Sequence, residues 1–321
     1  MTTLVTGAGL IGASFAQQAF KRGERVVFVD PLPRESYLRS MLGDAPFELV
    51  EEDVRNASAL IALMYSRKVD TVIHTAARIG HRAAQPLHEG FNLNIIGTQA
   101  VAEAVRVTGV RRLVHISTFG AYDWRRLMPE PIVEDFPRGR GVPYGNFKVA
   151  QEVMLEAWAN VYGFELIILR PANVFGVGHF WGGSGGGEKV QDLVIAGLDG
   201  RTAQLPQEQT MAFEYVYAKD VGAAVDRAAT CNMPSHKIFN VGTGVTTTFE
   251  QLVATITAKL PGLKVEIAPG APPVSRLQHL DLTRSRDHLG WKPAYTLSSG
   301  LDDYIVDLRT ARGRSSGDAN R

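Results

Sequence analysis

The stretch VTGAGLIG, residues 5–12, leaves little freedom to the fold. It sets Gly7, Gly9 and Gly12 in the turn between a short apolar run (3–8) and a helix-periodic segment (10–23) that closes on Gly23. A strand feeding a helix through a glycine turn begins a parallel βαβ unit. Strand-like runs follow at 25–30, 47–54, 69–77, 111–122 and 164–176, alternating with helix-like runs at 57–67, 92–109 and 144–162. The strand runs are almost continuously apolar, which predicts a parallel sheet covered on both faces: α/β, doubly wound. The pattern changes after residue 176. A glycine-rich stretch at 176–189 reads as a mobile loop, and short strands at 237–242 and 265–270 with scattered helices predict a smaller C-terminal lobe. The expected division is a first domain over 1–176 to which some later segments return, a lobe over 177–308, and a polar, disordered tail over 309–321.

Composition excludes several classes. Of 321 residues, 45% are hydrophobic and 21% charged, and the net charge of +1 provides no field for nucleic acid or an anionic membrane. One cysteine, Cys231, rules out a disulfide within the chain, and no Cys/His group has zinc spacing. No run approaches the length of a membrane span, and the N-terminus lacks a signal-peptide pattern. The expected location is the cytoplasm.

The glycines carry specific physics. Gly7 permits a tight turn, Gly9 lets backbone approach a pyrophosphate, and Gly12 lets the helix lie close to the sheet. Asp30 ends the second strand about twenty residues on, where a carboxylate accepts from an adenosine ribose. That favours NAD over NADP, with Arg34 close enough to blur the distinction. Asp53, after the third strand, suits an adenine amine or a helix N-cap.

A second group lies further on. Thr118 ends the strand within HISTFGAY (115–122), and Tyr144 and Lys148 stand four apart at the start of the 144–162 helix. Helix residues four apart share a face. A free phenol, with a pKa near about 10, is a poor base at neutral pH. An adjacent ammonium and the charge of NAD⁺ would lower it. Tyr144 could then take a substrate hydroxyl proton while Thr118 holds the oxygen and Lys148 reaches the nicotinamide ribose.

With these motifs in order, together with VIHTAA, NLNIIGT, LRPANVFG, YVYAKDV, FNVGTG and LGWKPAYTLSSGLDDYI, the chain resembles the extended short-chain dehydrogenase/reductases, the NAD-dependent epimerase/dehydratase family. The resemblance spans nearly the whole chain. It implies a Rossmann domain, catalytic roles for Thr118, Tyr144 and Lys148, and a cofactor cleft lined by Leu10, Ile11, Val54, Ala76, Ala77, Pro171, Asn173 and Val174. It implies that Asn94 supports the central helix. Two departures stand out. The glycine loop is one residue shorter than the family's TGxxGxxG, and Thr118 stands where many members have Ser.

Most of that family acts on sugars attached to nucleotides, gripping the diphosphate with arginines. Here Phe213 occupies one arginine position, and the stretch 268–291 replaces the usual RPGD-like segment, with Arg276 differently placed. A diphosphate without bidentate arginines is poorly held. The expected substrate is therefore a nucleotide-free sugar, sugar acid or polyol, contacted by Thr118, Phe119, Asn173, Phe213 and Arg276. Trp124, Arg125, Arg126, His179 and Trp181 fall in loops that reach it or lie on the surface, and 176–187 suits a lid. Phe119 and Gly120 stand where dehydratases carry acid/base groups, which disfavours dehydration. The alternatives are a nucleotide-sugar 4-epimerase recycling its NAD and a non-catalytic NAD-binding regulator. Family dimers pair helices that here span 92–107 and 145–161, with Met154, Leu155 and Trp158 as an apolar face.

Overall fold

A computed structural model describes residues 1–126, 131–139, 141–179, 185–273 and 278–318, with side chains as far as Arg312. The first half alternates as the apolar runs demand: β1 (Thr2–Thr6), α1 (Leu10–Lys21), β2 (Arg25–Asp30), α2 (Glu35–Leu42), β3 (Phe47–Glu51), α3 (Ala57–Arg67), β4 (Thr71–His74), α4 (Leu87–Phe91), α5 (Gly97–Thr108), β5 (Arg112–Ile116), α6 (Pro143–Tyr162) and β6 (Glu165–Pro171). There follow β7 (Asn173–Phe175), α7 (Gly185–Asp199), β8 (Thr202–Pro206), β9 (Phe213–Tyr217), α8 (Ala218–Thr230), β10 (Ile238–Val241), β11 (Thr246–Thr247), α9 (Phe249–Lys259), β12 (Lys264–Ala268), α10 (Thr283–His288) and α11 (Leu297–Asp318).

The large sheet runs β10-β6-β5-β4-β1-β2-β3, with every pair parallel. Strand order reverses between β1 and β4, and open sheets of this kind bind ligands at the carboxyl ends beside that reversal. Side chains alternate across each strand. Leu4, Val27, Val72, Leu113 and Leu166 pack with Leu60, Val101 and Leu155 of α3, α5 and α6. Val5, Phe28, Ile73, Val114 and Ile167 pack with Phe15, Val221 and Val225 of α1 and α8. Both faces are dry, which is why the strands read as unbroken apolar runs rather than alternating ones. Among the described residues no helix is long and apolar enough to cross a membrane.

Helix ends follow local chemistry. Asn56 caps α3 by accepting from the Ala59 amide, Pro143 opens α6, and Thr248 with Gln251 forms a capping box on α9.

Three expectations need correction. Residues 309–318 are not a disordered tail but the end of α11. That helix is anchored by buried Leu301, Tyr304, Ile305 and Leu308, and Arg312 pairs with Asp199. The glycine-rich stretch is not a loop throughout. Gly185–Gly187 form the first turn of α7, and Gly186 and Gly187 pack where a Cβ would sit 2.6 Å from Asn173 and His179. These glycines answer close packing, not mobility. On α6, Leu155 is buried within the chain, while Met154 and Trp158 are half-buried. The exposed apolar stripe is instead Val153, Ala157 and Val161.

Candidate active site

The glycine turn is shaped by contact. Gly7 has φ +88° and donates to the Val29 carbonyl at 2.8 Å, and a Cβ on it would meet Thr75 Oγ1 at 2.7 Å. A Cβ on Gly12 would meet the Gly7 carbonyl oxygen at 2.7 Å, so the helix lies directly on the turn. Gly9, at the N-cap of α1, has nothing within 4 Å of that position and no side-chain cap. The N-terminus of α1, at Leu10 and Ile11, thus begins beside open space at Gly9 with no side-chain cap. A dinucleotide pyrophosphate fits that cradle. The shortened loop is closed by Asp30: Ala8 N–H donates to Asp30 Oδ2 and Leu32 N–H to Asp30 Oδ1, both at 2.9 Å. Asp30, expected to face a ribose, thus also positions the turn.

Other expected cofactor residues divide. Ala76 and Ala77 follow β4 and are half-buried, with Ala76 N only 3.1 Å from the Cβ position of Gly7. Asn94 is fully buried in a π-helical turn (Asn92–Ile96). Its amide accepts from Arg78 N at 2.8 Å and donates to Arg78 O at 3.0 Å, so it fixes the loop beyond β4. The buried Val54 side chain packs toward Gly97 on α5. Asp53 is not the cap of α3, which is Asn56. Its carboxylate takes the Arg55 amide at 2.8 Å and guanidinium at 2.6 Å, and the Arg55 hydrogen bond holds it below the usual carboxylate range. Pro171, Asn173 and Val174 are buried at the junction of β6 and β7, with Asn173 Nδ2 donating to the Glu214 carbonyl.

Thr118, Tyr144 and Lys148 come together at the carboxyl end of β5. Thr118 caps a 3₁₀ turn (Phe119–Ala121), accepting from Gly120 N at 3.1 Å. Tyr144, in the first turn of α6, is half-buried. Burial raises its phenol pKa above the ordinary value, and the Thr118 hydroxyl pulls the other way. The lowering expected from Lys148 is absent, because that ammonium is turned into the protein. Its Nζ donates to the Ile116 carbonyl at 2.7 Å. Burial brings it down to about 7, opposed by the charge of Glu152.

On the substrate side, Phe119 packs edge-on to Trp124, whose Nε1 donates to the Phe119 carbonyl. Trp124 lies in a turn, as expected, but is buried rather than on the surface. Arg125 and Arg126 are exposed and both pair with Asp123. Among the described residues His179 Nε2 is buried without a partner. The Lys189 ammonium lies 4.6 Å from the Phe213 ring centroid and donates to the carbonyls of Gln209 and Met211. Arg276 and Trp181 lie outside the described residues, as does the middle of the lid stretch.

Residues 3–242 match the profile of the NAD dependent epimerase/dehydratase family. The chain belongs to that family. It is an NAD-dependent enzyme of the extended short-chain dehydrogenase/reductase type. It is 33% identical to a UDP-glucose 4-epimerase of Mycolicibacterium smegmatis over 314 residues, covering 96% of this chain and 99% of that one. A dTDP-glucose 4,6-dehydratase of Xanthomonas campestris is 27% identical, covering 97% and 95%. Among solved structures, the UDP-glucose 4-epimerase of Thermotoga maritima with UDP-glucose superimposes with a TM-score of 0.85 at 26% identity, covering 96% and 99%. The Thermus thermophilus UDP-glucose 4-epimerase with NAD gives 0.82 at 26% identity, with the same coverage.

Sequence reasoning did not single out the buried polar residues of α6, β4, β5 and β6. Glu152 lies four past Lys148, a spacing that could have revealed it. Arg170, Ser117 and the buried His74 and His115 carried no such signal.

Proposed function

We propose that this epimerase/dehydratase-family enzyme oxidises a secondary alcohol of a nucleotide-free sugar, sugar acid or related polyol. The observation that carries the reading is the meeting of Thr118, Tyr144 and Lys148 at one sheet edge beside the glycine turn. Thr118 holds the substrate oxygen, Tyr144 accepts its proton, and Lys148, one turn further along α6 and bonded to the Ile116 carbonyl, lies on the cofactor side of the pair. NAD, when bound, supplies the electrophilic nicotinamide that takes hydride from the same carbon. Phe213 supports a substrate without nucleotide: an aromatic ring backed by a buried ammonium stands where an arginine would grip a diphosphate.

A second reading, nucleotide-sugar 4-epimerisation with recycled NAD, is supported by the 33% identity to a UDP-glucose 4-epimerase along the whole chain. Purified protein incubated with NAD⁺ and a panel of free sugars, sugar acids and UDP- or dTDP-sugars separates the two. Stoichiometric NADH from a nucleotide-free compound is the expected result. An isomerised UDP-sugar without net NADH would replace the first reading with the second.

We also propose a cytoplasmic homodimer built on α5 and α6. Val153 is 50% exposed and lies with exposed Ala157 and Val161 along α6, and Leu87 and Phe91 of α4 are 53% and 46% exposed. Val153→Arg should halve the mass measured by light scattering. An unchanged mass would move the interface elsewhere.

A further inference from the structure

The glycine turn follows β1 and the Ala76–Ala77 stretch follows β4, and one buried side chain stands between them. His74 is the last residue of β4. Its Nδ1 lies 2.7 Å from Thr6 Oγ1 and its Nε2 lies 2.8 Å from Thr98 Oγ1. Thr6 immediately precedes Gly7, and its Oγ1 also accepts from the Ala76 amide at the long distance of 3.5 Å. Thr98 is fully buried in the first turn of α5.

The protons of this chain have one consistent arrangement. Thr98 Oγ1 donates to the Asn94 carbonyl at 2.7 Å. Gln151 Nε2, on α6, donates to that carbonyl and to Thr98 Oγ1, both at 2.6 Å. The Thr98 hydroxyl proton is therefore spent, and its oxygen can only accept from His74. The imidazole must carry its proton on Nε2 and accept on Nδ1 from the Thr6 hydroxyl. The opposite tautomer would turn a lone pair toward the Thr98 oxygen with no proton between them. Burial keeps the ring neutral. The His115 ring, 5.4 Å away, bonds to nothing among the described residues, and Lys148 donates to the Ile116 carbonyl, so neither competes for the two nitrogens of His74.

Both ends of the chain act on the same short loop. At one end Thr6 Oγ1 receives the Ala76 amide. At the other the Asn94 side chain accepts from Arg78 N at 2.8 Å and donates to Arg78 O at 3.0 Å, while the Asn94 carbonyl takes the bonds from Thr98 and Gln151. Residues 76–78 are thus held at each end by groups that His74 links. That loop lies against the glycine turn, with Ala76 N 3.1 Å from the Cβ position of Gly7. We propose that His74 is a positioning residue for the cofactor: as the Nε2–H imidazole it joins the glycine turn to α5 and fixes the 76–78 loop in the shape that receives NAD. It acts through Thr6 and Thr98 rather than by touching the dinucleotide, and it does so whichever substrate is oxidised.

Three substitutions separate the two ends. His74→Asn keeps an oxygen near the Nδ1 position for Thr6, His74→Gln keeps an N–H near the Nε2 position for Thr98, and His74→Phe keeps neither. By titration calorimetry with NAD⁺, His74→Phe should raise Kd about tenfold, the worth of one buried hydrogen bond. His74→Asn should return Kd to within about twofold of the parent, because the Thr6 end is the one that reaches the glycine turn, and His74→Gln should not. A lower Tm in all three variants with Kd unmoved would overturn the proposal, leaving His74 a core histidine that only stabilises the fold. Equal losses of affinity in the Asn and Gln variants would overturn it as well. If His74→Phe does not fold, Thr6→Val keeps the branched shape at residue 6 and removes the hydroxyl that joins His74 to Ala76. The same rise in Kd is expected there, and an unchanged Kd overturns the proposal. In protein carrying nitrogen-labelled histidine, the His74 signals, assigned by their loss in His74→Asn, should show a protonated Nε2 and a bare Nδ1. The opposite tautomer would also overturn it.

Discussion

Tyr144→Phe is expected to lower turnover by roughly a hundredfold to ten-thousandfold, the usual contribution of a positioned acid–base group. The ring and its packing at the head of α6 survive the change, and only the hydroxyl facing Thr118 is lost. The glycine turn, Asp30 and the N-terminus of α1 are untouched. NAD affinity, measured by titration calorimetry, should therefore stay within about twofold, well under 1 kcal/mol. Single-turnover formation of NADH isolates the chemical step from product release. Near-normal turnover in this variant would mean that another group accepts the proton, and the site assignment would fail.

The second large effect is acid lability. His74 and His115 are buried, and burial is the leading cause that pushes both imidazoles down, His74 to about 3. In the unfolded chain each returns to about 6.5. Below that value the unfolded state binds more protons than the folded one, so stability falls with pH; above it the two histidines contribute no slope. A group held this low contributes about 1.4 kcal/mol per pH unit, so two units of acidification cost about 3 kcal/mol through His74 alone, and His115 acts in the same direction. That is a large part of the roughly 5–15 kcal/mol that holds a folded protein together. Denaturant melts between pH 4.5 and 7.5 would record it. His115→Phe keeps an aromatic ring and removes the unpartnered nitrogens, whose burial costs about 1–3 kcal/mol. The variant should be more stable at neutral pH, with a shallower slope below pH 6.5. Identical slopes for variant and parent would show that His115 is not held neutral.

Much of the fold was legible because its signals are local. Gly7, Gly9 and Gly12 specify a turn that nothing else fills as well, and strands buried on both faces announce themselves as apolar runs. Helix ends at Pro143 and Thr248 are written in side chains that bond their own backbone or fix its φ. The readings that failed depended on partners distant in sequence. The polar segment 309–318 reads as tail, yet the apolar residues just before it carry the helix onward. Gly185–Gly187 read as slack because the side chains they accommodate, Asn173 and His179, come from an earlier segment. Leu155 and Val153 are both apolar, and only the rotation of α6 against the sheet decides which one is covered. In the site, the Tyr144 and Lys148 spacing could be read directly. The direction of Lys148 could not, since it depends on the Ile116 carbonyl of a neighbouring strand.

The seventh strand of the large sheet comes from the far side of the chain. β10 follows β7, β9 and α8, yet it lies against β6 and completes the edge. A fragment stopped before Ile238 would present β6 with an open row of amides and carbonyls, a template for pairing between chains. The part that cradles a dinucleotide is thus not a detachable cassette. Swapping the C-terminal lobe for another, whether by a designer or by recombination, must carry this strand across in register or leave an aggregation-prone rim.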